Sequence, residues 1–179
     1  MAKISIFGLA GTGKTTAGRL LAEKVSYRYI STGNMFRDKA LSMGITLQEL
    51  EKISNDNPNF DKDLDKQTED FGKSNDDFVI ESRLAWHFVP DSFKIKLDCD
   101  FDVRIGRIAK REGKDFEKVK SETMERESLI RERYKAYYGI QDFENDSNFD
   151  FIIDTTSIMP DEIVQNIINV LKEKNLLTN

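Results

Sequence analysis

Cysteine and histidine are almost absent from this 179-residue chain, which has one of each. A single cysteine, Cys99, cannot close an internal disulfide, and with His87 it cannot assemble a structural zinc site. No apolar run approaches the roughly 20 residues that a membrane helix needs, and the opening stretch to Gly11 is too short to be a secretory leader. The expectation is therefore a cytoplasmic protein with no membrane partner. Excess positive charge is lacking too: the formal charge is −5, so no nucleic-acid partner is expected. What remains, 39% hydrophobic and 33% charged residues, suits one soluble globular domain with a core of ordinary size.

Short β-branched and aromatic runs punctuate the chain. Lys3 to Phe7, Arg28 to Ile30, Phe78 to Ile80, Ser92 to Leu97 and Phe149 to Ile153 read as five strands. Helical patterns lie between them. Leu20, Leu21 and Val25 share one face after the first strand, and Ser31 and Thr32 are N-cap types ahead of Met35, Phe36 and Leu41. Thr46 and Glu49 have capping-box spacing, Asn57-Pro58-Asn59 is a break, and Phe60, Leu64 and Phe71 mark the next amphipathic helix. The last segment, from Asp161, puts Ile163, Ile167 and Leu171 on one stripe. About half of the residues from Asp102 to Tyr138 are charged, so this stretch is expected to be exposed and mobile rather than a buried helix pair. Alternating strands and helices imply an α/β fold, a five-stranded parallel sheet with helices on both faces and ligands at the carboxyl ends of the strands.

The first strand runs into Gly8-Leu9-Ala10-Gly11-Thr12-Gly13-Lys14-Thr15-Thr16, which contains G-x-x-x-x-G-K-[ST] ahead of a helix. A glycine-rich turn between strand and helix would explain the glycines alone. The whole pattern is that of a P-loop. Its backbone N–H groups and the helix N-terminus cradle phosphates, Lys14 reaches the β- and γ-phosphates of ATP, and the Thr15 hydroxyl ligates Mg²⁺. The fold class is then a P-loop NTPase fold.

Two further motifs each deliver an arginine to the same edge. Ser31-Thr32-Gly33-Asn34-Met35-Phe36-Arg37 follows the second strand, and Glu81-Ser82-Arg83 follows the third. Two guanidinium groups can clamp a second phosphate, as an acceptor monophosphate requires. In the charged stretch, Arg107 and Arg111 are four apart and share a helix face, while Arg126 and Arg133, seven apart, share another. Arg126 and Arg133 suit neutralisation of a transferring phosphoryl group. Arg131, about 140° round the helix from Arg126, is the weaker candidate.

The segment STGNMFR resembles the acceptor-binding motif of adenylate and cytidylate kinases. ESRLAW followed by KIKLD is similar to segments of archaeal-type cytidylate kinases, and so are RIAKREGKDFEKV, ERESLIRERYKAYYGI and DTTSIMPDEIV. The resemblance covers nearly the whole chain. It implies a P-loop nucleoside monophosphate kinase with a core (about 1–30, 78–110 and 148–179), a small helical acceptor-binding region (about 31–76) and a helical lid (about 111–140). It implies that Arg37 and Arg83 bind the acceptor phosphate, that Glu81 acts on magnesium through water, that Arg107 and Arg111 meet the donor adenine and phosphates, and that Asp61 and Asp65 belong to the acceptor site. Asn34 and Ser82 depart from the family pattern, which has aspartate and glycine there.

The expected reaction is transfer from ATP to CMP or dCMP by a monomer, with Mg²⁺ as cofactor. Adenylate kinase is the near alternative, but the glutamine that pairs with adenine is replaced by His87. An adenylate-kinase-like ATPase acting in RNA or ribosome assembly is the other. The acidic charge and the full set of acceptor arginines weigh against it.

Overall fold

A computed structural model describes residues 2–177, apart from the side chains of residues 55, 56 and 58–61. Its strands are β1 (Lys3–Phe7), β2 (Arg28–Ser31), β3 (Phe78–Glu81), β4 (Phe93–Asp98) and β5 (Phe151–Asp154). They form a five-stranded sheet in the order β2-β3-β1-β4-β5, with every pairing parallel. The helices are α1 (Lys14–Val25), α2 (Thr32–Ser42), α3 (Leu47–Asp56), α4 (Pro58–Ser74), α5 (Ala85–Phe88), α6 (Phe101–Glu112), α7 (Phe116–Tyr138) and α8 (Pro160–Glu173). The α/β class, strand number and strand direction thus agree with the sequence reading. The four-residue helix α5 has no period long enough to be read from sequence.

Side chains of a strand alternate between faces, and this sheet is covered on both. Ile4 and Ile6 of β1 join Ile95 and Leu97 of β4 in a core closed by Ala17 and Leu21 of α1 and by Ile163, Val164, Ile167 and Leu171 of α8. Phe7 takes the other face with Leu84, Ile130, Tyr134 and Phe143.

Helix entries follow local chemistry. The Thr46 hydroxyl accepts from the Glu49 amide at 3.2 Å while Glu49 Oε2 accepts from the Thr46 amide at 2.7 Å, so the expected capping box is formed. Ser31 caps α2 by accepting from the Asn34 amide at 3.1 Å.

The charged stretch departs from expectation. α6 and α7 are a packed helix pair, with Ile105, Ile108, Ala109 and Val119 buried between them beside Ala10, Phe101 and Phe116. Few apolar side chains suffice because a buried ion pair completes the contact. Arg104 donates to Glu127 at 2.7 Å, and the two residues are only 5% and 6% exposed. Counting charges missed this, since charges that neutralise each other can be buried together.

Removing one partner of such a pair leaves the other charge buried. Glu127→Ala is expected to cost about 3–5 kcal/mol in urea unfolding. A loss below about 1 kcal/mol would mean that the pair does not hold α7 to α6.

Candidate active site

The site is assembled by strand register. Ile6, Glu81 and Ser31 stand side by side at the carboxyl ends of β1, β3 and β2. The loop after β1 therefore meets the carboxylate that ends β3. Thr15, one residue into α1, donates to Glu81 Oε1 and Oε2 at 3.0 and 2.9 Å, and the Ser31 hydroxyl donates to the same carboxylate in a short hydrogen bond. Glu81 is 2% exposed and satisfied by this cluster of hydroxyls.

Side-chain donors take the carbonyls of the loop, all but Thr12 from outside it. Leu9 O accepts from the Thr12 hydroxyl at 2.9 Å, Ala10 O from Arg104 at 3.0 Å, Gly11 O from Arg107 at 3.3 Å and Thr12 O from the Thr155 hydroxyl at 2.9 Å. With its C=O groups engaged on that side, the loop is set to offer N–H groups to a ligand. Gly11 has φ +85°, and a Cβ there would stand 2.6 Å from Arg104 O, so only glycine fits. Gly13, at φ 90°, is the N-cap of α1 and supplies no side chain, and no acidic residue stands in the first turn. The helix N-terminus is thus electropositive, with amides that have no partner within the helix.

A cleft of about 830 Å³ opens above the loop. Lys14, Arg37, Arg83, Arg107, Arg111, Arg126 and Arg133 all line it, as do Thr15, Thr16, Glu81 and Asp65. The structure brings these sequence-selected residues together. Burial pushes the Lys14 ammonium down to about 8, with Arg83, Arg126 and Arg37 acting in the same direction and Glu81 opposing. Arg126 also lies below its ordinary value, because of burial first and the Arg83 charge second. Mutual repulsion among these cations makes the cleft a site for anions.

Details around Arg37 and Arg83 add to the sequence reading. Arg37 donates to Asn34 Oδ1 in a short hydrogen bond, so Asn34 orients the guanidinium without neutralising it. The Ser82 hydroxyl accepts from the Leu84 amide at 3.2 Å and holds the turn that carries Arg83, whose buried Nε has no hydrogen-bond partner among the described residues.

Other residues correct or extend the expectation. Arg131 lies outside the cleft, donating to Glu144 at 2.5 Å on the other side of α7, as its angle from Arg126 requires. The Arg107 guanidinium donates to the carbonyls of Thr155 at 2.8 Å and Thr156 at 3.2 Å besides Gly11, which makes it a latch between loop and β5 as well as part of the cleft wall. The Asp61 side chain falls outside the described residues. Cys99 is half-buried, its sulfur accepting from Arg107 at 3.4 Å, and His87 sits among Trp86, Phe88 and Tyr138 as a packing residue. Sequence reasoning missed Glu51, which accepts from Arg126 Nε at 2.6 Å, and the apolar residues Ile158, Met159 and Pro160 that line the same cleft as Arg107 and Arg111. No periodic signal marks either one.

A parallel five-stranded sheet, a P-loop at the end of its central strand and a cationic cleft above it define a P-loop kinase. Residues 3–157 match the model of the cytidylate kinase-like family, and the chain belongs to that family, as a nucleoside monophosphate kinase. It is 41% identical over 162 residues to the cytidylate kinase of Natronomonas pharaonis, covering 89% of this chain and 84% of that one. With the cytidylate kinase of Archaeoglobus fulgidus it shares 35% identity over 175 residues, 97% of each chain. Among solved structures it is similar in fold to shikimate kinase from Aquifex aeolicus, with a TM-score of 0.65 and 19% identity over 97% of this chain and 98% of that one. Nothing among these relatives favours the adenylate reading. No described helix is long and apolar enough to cross a membrane.

The depressed Lys14 value has a consequence for stability. A lysine whose pKa is lower when folded binds fewer protons in the native state, so stability rises as pH climbs from about 8 towards the ordinary lysine value of 10.5. Below that window the buried charge is a penalty. Lys14→Met, with no nucleotide added, is expected to be more stable than wild type at pH 7 by up to about 3 kcal/mol, the gap narrowing between pH 8 and 10.5. Urea midpoints for the two proteins across that range check it, and a gap independent of pH would contradict the assignment.

Proposed function

We propose that the chain transfers the γ-phosphate of ATP to CMP or dCMP, giving ADP and CDP or dCDP. The observation that carries this reading is the meeting, in one cleft, of the P-loop with Arg37, Arg83 and Arg126. The loop and Lys14 hold the donor phosphates, Arg37 and Arg83 clamp the acceptor phosphate, and alignment of the two does most of the catalytic work. An oxygen of the acceptor phosphate attacks the γ-phosphorus while the bond to the β-phosphate oxygen breaks and ADP leaves. Arg126 and Arg133 offset the charge that spreads over the transferring group. Arg107 and Arg111, which line the cleft together with Ile158 to Pro160, give the donor base a platform of guanidinium groups and apolar surface.

The oxygen cluster of Thr15, Ser31 and Glu81 fits a magnesium ion. Hard oxygen donors suit it. Thr15 would bind it directly and Glu81 through water. Bound there, magnesium would neutralise phosphate oxygens.

The region from about 31 to 76 receives the acceptor, with Asp65 and Asp61 on the side of its base. The segment from about 111 to 140 is the lid that closes over the phosphates. The enzyme acts on free nucleotides as a cytoplasmic monomer.

The direct test is ADP formation from ATP with CMP, dCMP, UMP, AMP or GMP, with and without Mg²⁺. Cytidylates are expected to be the best acceptors, with no turnover in the absence of the metal. Equal ADP formation without any monophosphate would overturn the kinase assignment. Arg37→Ala is expected to raise the KM for CMP at least about tenfold with little change for ATP, the size of one charge-assisted hydrogen-bond pair. Equal rises for both substrates would remove Arg37 from the acceptor clamp.

A further inference from the structure

The α2–α4 side of the cleft is lined by Phe36, Leu47 and Leu64, an apolar slot for a flat base, with the carboxylate of Asp65 as a polar group at its wall. That carboxylate is tied to a distant helix. Tyr138, the last residue of α7, donates its phenolic hydroxyl to Asp65 Oδ2 in a short hydrogen bond between residues 73 apart in sequence. The ring that carries the hydroxyl is itself held. It packs edge-on against Phe88 at 5.3 Å and at a tilt against His87 at 6.2 Å. Both belong to α5, which begins two residues after Arg83, and the Trp86 indole of α5 donates to Arg83 O at 3.1 Å. The neighbouring Tyr137 donates to Ser54 O at 3.1 Å and fastens the same end of α7 to α3.

We infer that Tyr138 is a specificity-positioning residue: it orients the Asp65 carboxylate to accept from the exocyclic amino group of cytosine and references that carboxylate to the phosphate clamp through α5. This rests on the proposed cytidylate reaction and on Asp65 as the reader of the base. An ionised carboxylate accepts only, so it pairs with the N4 amino group and faces the O4 of uracil acceptor to acceptor. Selection of this kind needs the carboxylate at a fixed distance from the bound phosphate. A hydroxyl donor on a packed ring supplies that, since supporting hydrogen bonds decide the precision of a site. Arg83 and Tyr138 both rest on α5, so the two ends of the acceptor are measured from one rigid element.

The test compares kcat/KM for CMP and UMP, with the KM for ATP, in wild type, Tyr138→Phe and Asp65→Asn. Tyr138→Phe keeps the ring contacts and loses only the hydroxyl. It is expected to lower kcat/KM for CMP about tenfold, chiefly through KM, to change that for UMP by less than about twofold and to leave ATP unaffected. Asp65→Asn is expected to lower the CMP to UMP ratio further. If Asp65→Asn lowers the ratio and Tyr138→Phe does not, the positioning role is overturned while base reading by Asp65 stands. If Asp65→Asn leaves the ratio unchanged, base reading by Asp65 fails and the inference fails with it. Equal losses for CMP and UMP in Tyr138→Phe would mean a merely structural contact and overturn the inference. Should Tyr138→Phe not fold, Phe88→Leu loosens the same ring with the hydroxyl kept. It is expected to give a smaller loss of the same sign in the ratio, and an unchanged ratio overturns the inference.

Discussion

Like charges gathered inside a protein repel, and their encounter in this cleft is the constraint on which the rest of the architecture depends. Lys14, Arg37, Arg83 and Arg126 are close enough to act on one another electrostatically, and two carboxylates, Glu81 and Glu51, stand among them. The remaining positive charge calls for phosphates. Strand register, loop geometry and the tethers of α7 serve to keep these groups where an anion can bridge them.

The sheet contributes by alignment. Because β1, β2 and β3 end in register, Glu81 meets Ser31 beside it and Thr15 at the exit of the P-loop, and a buried carboxylate finds hydroxyl partners at once. The P-loop is then secured from outside by Arg104, Arg107 and Thr155, which take its carbonyls. Arg104 serves twice, holding the loop and, through Glu127, the helix that carries Arg126 and Arg133. The P-loop and α7 therefore share one buried anchor.

The α3–α4 side of the cleft is built differently. Polar links tie α3 and α4 to α7: Glu51 with Arg126, Ser54 with Tyr137 and Asp65 with Tyr138. Such links fix direction as well as distance, because each needs one donor and one acceptor in line. The contacts of α1 and α8 with the sheet are apolar instead.

Local patterns were legible without the structure. The P-loop, the capping box at Thr46 and Glu49, the strands and the Arg126–Arg133 face depend on neighbours within a few residues, where backbone geometry leaves few choices. Arg131 stood as a weaker candidate for the same role as Arg126, and the structure sends it to Glu144 outside the cleft. The burial of α6 and α7 was not legible, because it hangs on Arg104 finding Glu127, 23 residues away, and composition counts the two as solvent-seeking charges. Nor were Glu51 and Tyr138, whose partners lie 75 and 73 residues distant. The amino-acid sequence by itself determined the phosphate loop, the parallel α/β class and which arginines were available, since each follows from short-range rules. Only the tertiary structure decided which charges face each other across the cleft and which are buried in pairs, because electrostatic partnership depends on distance in space and not along the chain.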